Sequence, residues 1–232
     1  MDKTYIIAGA SSGIGLALAK KLLENGDKVY ALSRSAGELI SHPKYNHIAF
    51  DFSQSDGQLP DIAEKANALV YCPGSITLKP IKRLTGADIN KDFMLNARSA
   101  FLFAQKYLPN IKESNDASIL FFSSVAVQTG LPFHSSIAMA KGALEGLTRS
   151  LAAELSPGIR VNAIAPSLTN TPLAASLLNS EARMEGNIQR HPLKAIGNPE
   201  EIASFAYYLL KNSKWATGQV FGLNGGLGTI IT

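Results

Sequence analysis

Short apolar runs alternate with amphipathic stretches from one end of the chain to the other. The apolar runs predict β-strands, and they lie at 5–8, 29–32, 47–50, 68–71, 118–122, 159–164 and 220–223. Residues with helical spacing lie near 14–25, 88–112, 136–155 and 199–211. Short apolar strands joined by helices are typical of a parallel sheet covered by helices on both faces. With right-handed crossovers, this order predicts an α/β fold with a doubly wound, Rossmann-type sheet of about seven strands.

No internal repeat and no Pro-, Gly- or Ser-rich linker interrupts this pattern, so we predict one domain over 1–232. Segments 34–46 and 51–66 are polar and compact, which leaves little room for a helix between the third and fourth strands. Segment 169–198 is long and has only a weak helical pattern. Such an insertion after the carboxyl end of a strand is typical of a substrate lid. Its apolar residues indicate either an apolar pocket or ordinary packing; they include Leu173, Leu177, Leu178 and Met184.

Composition narrows the class of protein. With 46% hydrophobic and 17% charged residues, the chain can bury a large core without disulfides. The single cysteine, Cys72, cannot form an internal disulfide, and no signal-peptide pattern precedes the first strand, so we expect a cytoplasmic protein. The net charge of +4 is scattered, and no apolar run reaches the ~18 residues of a membrane span. We therefore expect no nucleic-acid partner and no membrane span, and we predict no metal site.

A glycine-rich turn follows the first strand and leads directly into a helix. Gly9, Gly13 and Gly15 are spaced Gly-x-x-x-Gly-x-Gly, and glycine allows both a sharp turn and a close approach of the backbone to a ligand. The helix that follows presents free N–H groups and its positive dipole end to the turn. This context favours a phosphate site. The alternative is a tight connection between strand and helix that binds nothing.

The end of the second strand bears on the choice of nicotinamide cofactor. A carboxylate there accepts hydrogen bonds from the ribose diol of NAD, whereas a cationic residue attracts the 2′-phosphate of NADP. This chain has Ser33 and Arg34 and no acid at this place. The sequence therefore favours NADP(H), with NAD(H) possible. In the alternative reading, Arg34 is an exposed loop charge.

Several segments in the same order resemble the short-chain dehydrogenase/reductase family, nearly end to end. Residues 8–15 match its Thr-Gly-x-x-x-Gly-x-Gly turn, and Asp51-Phe52 resembles the pair that contacts adenine. Residues 71–74 stand where the family has Asn-Asn-Ala-Gly, but only the glycine is kept. Residues 95–97 resemble the segment of the relay asparagine, and 122–125 the segment of the catalytic serine. Residues 162–167 match Asn-x-Ile-x-Pro-Gly with Ser167 in the place of the glycine. The stretches 191–203 and 217–226 most resemble bacterial 3-oxoacyl-acyl-carrier-protein reductases.

The resemblance implies both a cofactor site and a catalytic set. The cofactor-binding residues that it implies are Gly9, Ser11, Ser12, Gly13, Ile14, Gly15, Ser33, Arg34, Asp51, Phe52, Cys72, Pro73, Gly74, Lys141, Pro166, Ser167, Thr169 and Thr171. The catalytic residues that it implies are Ser124, Lys141 and Asn96. Family members commonly dimerise through the helices that here span 88–112 and 136–155, which implies a homodimer or homotetramer.

One position departs from the family pattern at its chemical centre. The family carries Tyr-x-x-x-Lys thirteen residues after its serine, and both spacings lead to position 137, which is Ile137. In the family, the tyrosine protonates the carbonyl oxygen as hydride arrives, and its phenol pKa of about 10 is lowered by the lysine. Isoleucine has no proton to give, and the loss of a positioned acid commonly costs ~10²–10⁴-fold in rate.

Few neighbouring residues offer a replacement acid. His134 lies three residues before Ile137 and is a candidate, but we prefer to interpret it as an exposed loop histidine at a helix N-terminus, where a cation is disfavoured. Ser135 and Ser136 are expected to cap that helix. Cys72 lies near the cleft, but one cysteine without a base is usually a packed small residue.

Three functions remain open. The first is an NADP-dependent oxidoreductase that acts on a carbonyl or an alcohol, with another acid or water in place of the tyrosine. Its substrate would be a small molecule or an acyl thioester. The second is a cofactor-binding regulatory or scaffolding subunit that pairs with an active homologue. The third is a non-redox enzyme, such as a dehydratase or isomerase, that uses the same pocket.

Overall fold

The computed structural model describes residues 2–54 and 58–230 and contains seven parallel strands in that part of the chain. The strands are β1 Thr4–Ala8, β2 Lys28–Ser33, β3 Tyr45–Ala49, β4 Ala68–Tyr71, β5 Ala117–Phe122, β6 Ile159–Pro166 and β7 Val220–Leu223. They form a single sheet in the order β3-β2-β1-β4-β5-β6-β7. The predicted doubly wound sheet is confirmed, and strand ends differ from the predicted ones by no more than two residues.

Helices cover both faces of the sheet. They are α1 Gly13–Glu24, α2 Gly86–Phe93, α3 Ser99–Ile111, α4 Ser135–Leu155, α5 Glu181–Arg190 and α6 Pro199–Lys211. A π-helical turn over Met94–Arg98 joins α2 to α3, so the helix predicted over 88–112 is one helical segment with a wider turn inside it. The weak pattern over 169–198 concealed α5, because the sequence of this helix is strongly polar and none of its residues is buried. No helix in the described part of the chain combines the length and apolarity that crossing a membrane requires.

Two apolar layers, one on each face of the sheet, hold the helices in place. Alternate residues of a strand point to opposite faces, so Ile7 joins one layer and Ile6 the other. The first layer packs α1 and α6 against the sheet through Leu18, Leu22, Ile202 and Leu209. The second packs α3 and α4 through Phe103, Tyr107, Ile111 and Leu144. Burial of these side chains fixes the helices relative to the carboxyl ends of the strands.

The connection from β3 to β4 contains no α-helix in its described residues, 50–54 and 58–67, as the sequence predicts; residues 55–57 lie outside the described part. Helix α3 holds this connection through its polar side chains. Asn110 Nδ2 donates to the carbonyls of Ile62 and Glu64 at 2.7 Å each, and the Tyr107 hydroxyl donates to the Pro60 carbonyl at 2.7 Å. These bonds satisfy carbonyls that a helix would otherwise pair.

The order of the strands reverses between β1 and β4, which are neighbours in the sheet. The crossovers from these two strands lead to opposite sides, so a crevice opens outside their carboxyl ends. Ligands of doubly wound sheets bind at such a reversal. The glycine-rich turn after β1 and the Cys72-Pro73-Gly74 segment after β4 both lie there.

Candidate active site

The turn between β1 and α1 has a conformation that requires glycine. Gly9 and Gly13 have φ angles of 78° and 55°. A Cβ on Gly15 would lie 2.2 Å from the Gly9 carbonyl oxygen, so no side chain fits there. Ser12 is the N-cap of α1, and its side chain makes no capping hydrogen bond. The first-turn N–H groups of α1, which lack intrahelical acceptors, are thus available to the phosphates of a dinucleotide.

Two neighbouring segments close around this turn. Pro73 packs against Gly9, where a Cβ would meet its ring at 3.1 Å, and Cys72 N donates to the Ala8 carbonyl at 3.0 Å. On the other side, the Thr171 methyl would lie 3.2 Å from a Cβ on Gly13. The structure therefore brings the segment after β4 and the start of the 169–198 segment to the turn, as the cofactor prediction requires.

The carboxyl ends of β2 and β3 carry two charged groups. Arg34 is exposed, and Asp51 is half-buried. Hydrogen bonds from the hydroxyl and N–H of Ser53 lower the pKa of Asp51, and the charge of Arg34 adds to this effect. Phe52 instead turns into the second apolar layer, with its ring 5.3 Å from that of Tyr71. The ring of Phe52 is therefore part of the core, and its cofactor contact stays a prediction.

Lys141, on α4, lies beside the crevice at the carboxyl ends of the strands. Its ammonium donates to the carbonyl of Phe122, at the end of β5, over 2.6 Å, and the residue is 7% exposed. Burial lowers the pKa of Lys141 to about 8, while the negative charges that Cys72 and Asp92 can carry oppose the shift. Burial likewise raises the pKa of Cys72 to about 12, so the thiol is neutral near pH 7. A lysine with this pKa is a stronger acid than an exposed one.

Asn96 lies within the π-helical turn, a feature frequent at functional sites. Its Nδ2 donates to the Asp92 carbonyl at 2.8 Å and to the Ser75 hydroxyl at 2.9 Å. Its Oδ1 faces Gly74: a Cβ on that glycine would lie 3.3 Å from Asn96 Oδ1 and 3.7 Å from Lys141 Nζ. The two predicted catalytic groups therefore border the same small space beside Gly74.

Ser124 follows β5 and caps the short helical turn Val125–Val127. Its Oγ accepts from Ala126 N at 3.2 Å, which leaves the hydroxyl hydrogen available to a ligand. The neighbouring Ser123 has a different partner, since its hydroxyl donates to the buried Glu145 carboxylate at 2.7 Å. Ser124 is thus the serine of this pair that can hydrogen-bond a substrate oxygen.

Ile137 lies on α4 one turn before Lys141, on the same side of the helix, and is 3% exposed. Its side chain offers no proton. His134, the candidate for a replacement acid, is the N-cap of α4, and its Nδ1 lies 2.7 Å from the Pro132 carbonyl. Because a carbonyl only accepts hydrogen bonds, Nδ1 carries the hydrogen and donates it to Pro132. This bond within the loop fixes the orientation of the imidazole ring. The expectation that Ser135 and Ser136 cap α4 is wrong: the helix begins after His134 without a side-chain cap, and Ser136 is buried.

A buried histidine that the sequence did not single out fastens the 169–198 segment. His191 is 3% exposed, with Nε2 2.8 Å from Ser167 Oγ and Nδ1 2.8 Å from the Asn187 carbonyl. The Asn187 carbonyl requires a hydrogen on Nδ1, so Nε2 accepts from Ser167. Two residues after Ser167, Thr169 pairs with Gly197 in an isolated β-bridge. Because Ser167 and His191 are 24 residues apart, no local pattern in the sequence could predict their contact.

The structure collects most of the predicted site residues along one crevice. The turn after β1 contributes Gly9, Ser11, Ser12, Gly13, Ile14 and Gly15, and the segment after β4 contributes Cys72, Pro73 and Gly74. The end of β6 and the segment after it contribute Pro166, Ser167, Thr169 and Thr171. Ser33 lies at the end of β2 and bonds locally, with its hydroxyl 2.8 Å from the Ser35 carbonyl. Among residues 2–54 and 58–230, no group of three or more His, Cys, Asp or Glu side chains could hold a metal ion.

Comparison with known proteins agrees with this geometry. Residues 9–228 match the family model described as enoyl-(acyl carrier protein) reductase. A tropinone reductase homolog from Arabidopsis thaliana is 34% identical over 97% of this chain and 91% of its own. A short-chain dehydrogenase family protein from Francisella tularensis superimposes with a TM-score of 0.90 at 25% identity, over 99% of this chain and 100% of that one.

A 4-hydroxyisoleucine dehydrogenase complexed with NADH superimposes with a TM-score of 0.87 at 26% identity, over 97% of this chain and 98% of that one. The matches extend over both the glycine-rich turn and the segment of Lys141. The chain therefore belongs to the short-chain dehydrogenase/reductase family of nucleotide-dependent oxidoreductases.

Proposed function

We propose that the protein is an NADP(H)-dependent oxidoreductase that interconverts a carbonyl compound and an alcohol. The observation that carries this proposal is the convergence of Lys141 Nζ and Asn96 Oδ1 beside Gly74, at the mouth of a turn where Gly15 leaves no room for a side chain. One end of the crevice suits a dinucleotide phosphate, and the other presents an ammonium and an amide. This pairing fits redox chemistry on a polar carbon–oxygen bond.

The bound nicotinamide would supply or accept a hydride. The chain's own groups have separate tasks. The Ser124 hydroxyl donates a hydrogen bond to the substrate oxygen and so polarises the carbonyl. Lys141 keeps one N–H on the Phe122 carbonyl, which leaves two for the ribose hydroxyls and the substrate side of the crevice. The Thr171 side chain packs on Gly13 and would border the phosphates of a bound dinucleotide.

Arg34 supports NADP(H) over NAD(H). It is exposed at the end of β2, where a guanidinium can bind a 2′-phosphate in a bidentate manner. Asp51 lies near enough for the charge of Arg34 to lower its pKa, which keeps that carboxylate ionised beside the guanidinium. In the proposed complex, Arg34 binds the phosphate and Asp51 faces the adenine side.

The substrate is proposed to be a small carbonyl compound or an acyl thioester with an apolar body. The Leu173 side chain lies 3.8 Å from the position of a Cβ on Gly74, so the 169–198 segment covers the reaction space with an apolar group. Ile137 adds a second apolar wall. Similarity to tropinone reductase homologs favours a ketone. Because Cys72 is a free cysteine, we also propose a cytoplasmic location.

A second candidate function is cofactor binding without turnover, in a subunit that regulates or supports an active homologue. The observation that favours it is Ile137, which is packed like a core residue where the family has its acid. The two functions differ in one measurable quantity, NADPH-dependent reduction.

Substitution at position 137 tests the proposal. NADPH consumption is measured with a panel of ketones and ketoacyl thioesters for the wild type, Ile137→Tyr and the matched control Ile137→Phe. We expect measurable reduction by the wild type, and an increase of ~10²-fold or more for Ile137→Tyr, because a positioned phenol contributes ~10²–10⁴. Ile137→Phe adds the ring without the acid and should give no increase. If neither the wild type nor Ile137→Tyr reduces any compound while both bind NADPH, the non-catalytic function stands instead.

A further inference from the structure

A carboxylate outside the predicted catalytic set is buried next to the candidate active site. Asp92, in the last turn of α2, is fully buried. Its Oδ1 accepts from the Ser75 hydroxyl at 2.6 Å and from the Thr77 hydroxyl at 3.0 Å. Its Oδ2 has no hydrogen-bond partner in the described part of the chain. A buried carboxylate is costly unless a positive charge lies near it, so the surroundings of Asp92 should contain its counter-charge.

Lys141 is a buried cation that the charge of Asp92 affects. The two are joined by one polar cluster, in which Asn96 Nδ2 donates to both the Asp92 carbonyl and Ser75 Oγ, and Asn96 Oδ1 borders the same space as Lys141 Nζ. Helices α2 and α4, which carry the two charges, pack directly against each other. Asp92 acts on Lys141 through this cluster by favouring its charged form.

The other titratable groups near this pair have partners of their own or are neutral. Asp88, one turn before Asp92, binds Lys79 at 2.7 Å near the surface. Glu145, one turn after Lys141, accepts from Ser123 and lies 3.8 Å from Arg149. Cys72 is neutral near pH 7 because burial raises its pKa to about 12. Asp92 is therefore the carboxylate of the site whose charge favours the ammonium form of Lys141.

We propose that Lys141 is the proton donor to the substrate carbonyl in place of the absent tyrosine, and that Asp92 is the positioning residue that keeps it protonated. This inference rests on the proposed function. In the reductive direction, the carbonyl carbon gains the hydride from NADPH, which is oxidised. The carbonyl oxygen gains one proton from Lys141 Nζ. An alcohol and a neutral lysine amine result, and a solvent proton recharges the amine.

The surroundings of Lys141 suit this task. The bond to the Phe122 carbonyl fixes the ammonium and leaves two N–H groups to donate. With a pKa of about 8, lowered by burial, Lys141 is mostly charged at pH 7 and gives up its proton more readily than an exposed lysine. Without Asp92, the effect of burial would be opposed less, and the ammonium would lose its proton at lower pH.

A titration of the lysine ammonium in the protein without ligands tests the pairing. In ¹⁵N–¹H spectra, the Lys141 signal is identified by its loss in Lys141→Met, and its midpoint is followed with pH. We expect a wild-type midpoint near 8 and a midpoint at least about half a unit lower in Asp92→Asn. The matched control Asp88→Asn, on the same helix, should leave it unchanged. An unchanged midpoint in Asp92→Asn overturns the pairing.

Kinetics test the proton transfer. The kcat for ketone reduction by the wild type should fall above pH 8, this fall should move to lower pH in Asp92→Asn, and Asp88→Asn should not move it. Lys141→Met should lower kcat by ~10²–10⁴-fold while NADPH still raises the melting temperature. A wild-type kcat retained in Lys141→Met overturns the proton-donor role and leaves the proposed function intact. If the wild type binds NADPH but reduces nothing, the proposed function and the donor role both fail, and the titration still decides the pairing.

Stability gives a second route if Asp92→Asn folds poorly. The folded-state pKa of Lys141 lies below its ordinary 10.5, so its burial costs stability below about pH 8 and the cost disappears as the pH rises towards 10.5. Lys141→Met should lack this rise in unfolding free energy. The double variant Asp92→Asn/Lys141→Met should be more stable than Asp92→Asn alone, because the unpaired ammonium is gone. If the two substitutions are simply additive, the pairing is wrong.

Discussion

Position 137 holds an apolar side chain one helical turn before a buried ammonium. In the family pattern, a tyrosine phenol at this place interacts with the lysine ammonium. The side chain of Ile137 has no polar group for such an interaction. The charge of Lys141 therefore depends on burial, which lowers its pKa, on the negative charges that Cys72 and Asp92 can carry, which oppose that shift, and on the Phe122 carbonyl, which accepts from the ammonium. With isoleucine in place of tyrosine at position 137, other residues determine the pKa of Lys141.

Arg34 determines cofactor choice in our proposal, and its replacement tests it. Arg34→Asp should weaken NADPH binding by ~10–100-fold and leave NADH binding equal or stronger, because a charge-assisted pair is worth about 1.5–3 kcal/mol. Calorimetric titration with both dinucleotides measures this change. Lys65→Asp, at a position exposed beside Glu113, changes the net charge equally and is the control. Equal binding of NADPH and NADH by the wild type would remove the role of Arg34.

At the scale of elements, the 169–198 segment is tied to the sheet at both ends. Ser167 and His191 join its start to the end of α5, and the Thr169–Gly197 bridge joins the same regions again. Helix α5 itself has no buried residue, so its position depends on these end contacts more than on apolar packing. Such a segment can open without disturbing the core, as a lid must.

Removal of the histidine should loosen this segment. His191→Ala leaves the Asn187 carbonyl and the Ser167 hydroxyl without their partner, and we expect a loss of about 1–3 kcal/mol in unfolding free energy. Faster proteolytic cleavage within 169–198 should accompany it. The adjacent, exposed Arg190→Ala should change stability by no more than about 0.5 kcal/mol. Equal cleavage rates for the two variants would show that His191 does not hold the lid.

At the scale of the whole molecule, three neighbouring helices expose large apolar side chains. Phe93, Phe101 and Met139, on α2, α3 and α4, are 44%, 41% and 51% exposed. Large apolar side chains on neighbouring helices are typical of a surface that another copy covers. This observation supports the expected homodimer or homotetramer.

Light scattering can test this assembly. We expect the wild-type mass to be two or four times the 24.7 kDa of one chain. The variant Phe101→Glu/Met139→Glu should have a lower mass, because charges in an apolar interface are not solvated. Ile40→Glu changes an exposed apolar residue in the connection between β2 and β3 and should leave the mass unchanged. A wild-type monomer would contradict the expectation.

Local signals predicted the elements with little error where apolar periodicity was strong. The strands at 68–71 and 220–223 and the helix at 199–211 have the predicted bounds. Polar segments were less predictable: α5 has no apolar face to reveal it, and the start of α4 was misjudged because serines there suggested caps. Phe52 was assigned to the cofactor by motif, but its ring is drawn into the core by its neighbours.

The sequence by itself determined the parallel sheet, the glycine-rich turn and the absence of an acid at position 137. These follow from residues that are neighbours in the chain, since periodicity, the φ angles of Gly9 and Gly13, and the spacing to Lys141 are local properties. Only the tertiary structure decided which charges share the interior. The charge of Asp92 acts on Lys141 because α2 packs against α4, and a charge acts more strongly in the low dielectric of the interior than in water.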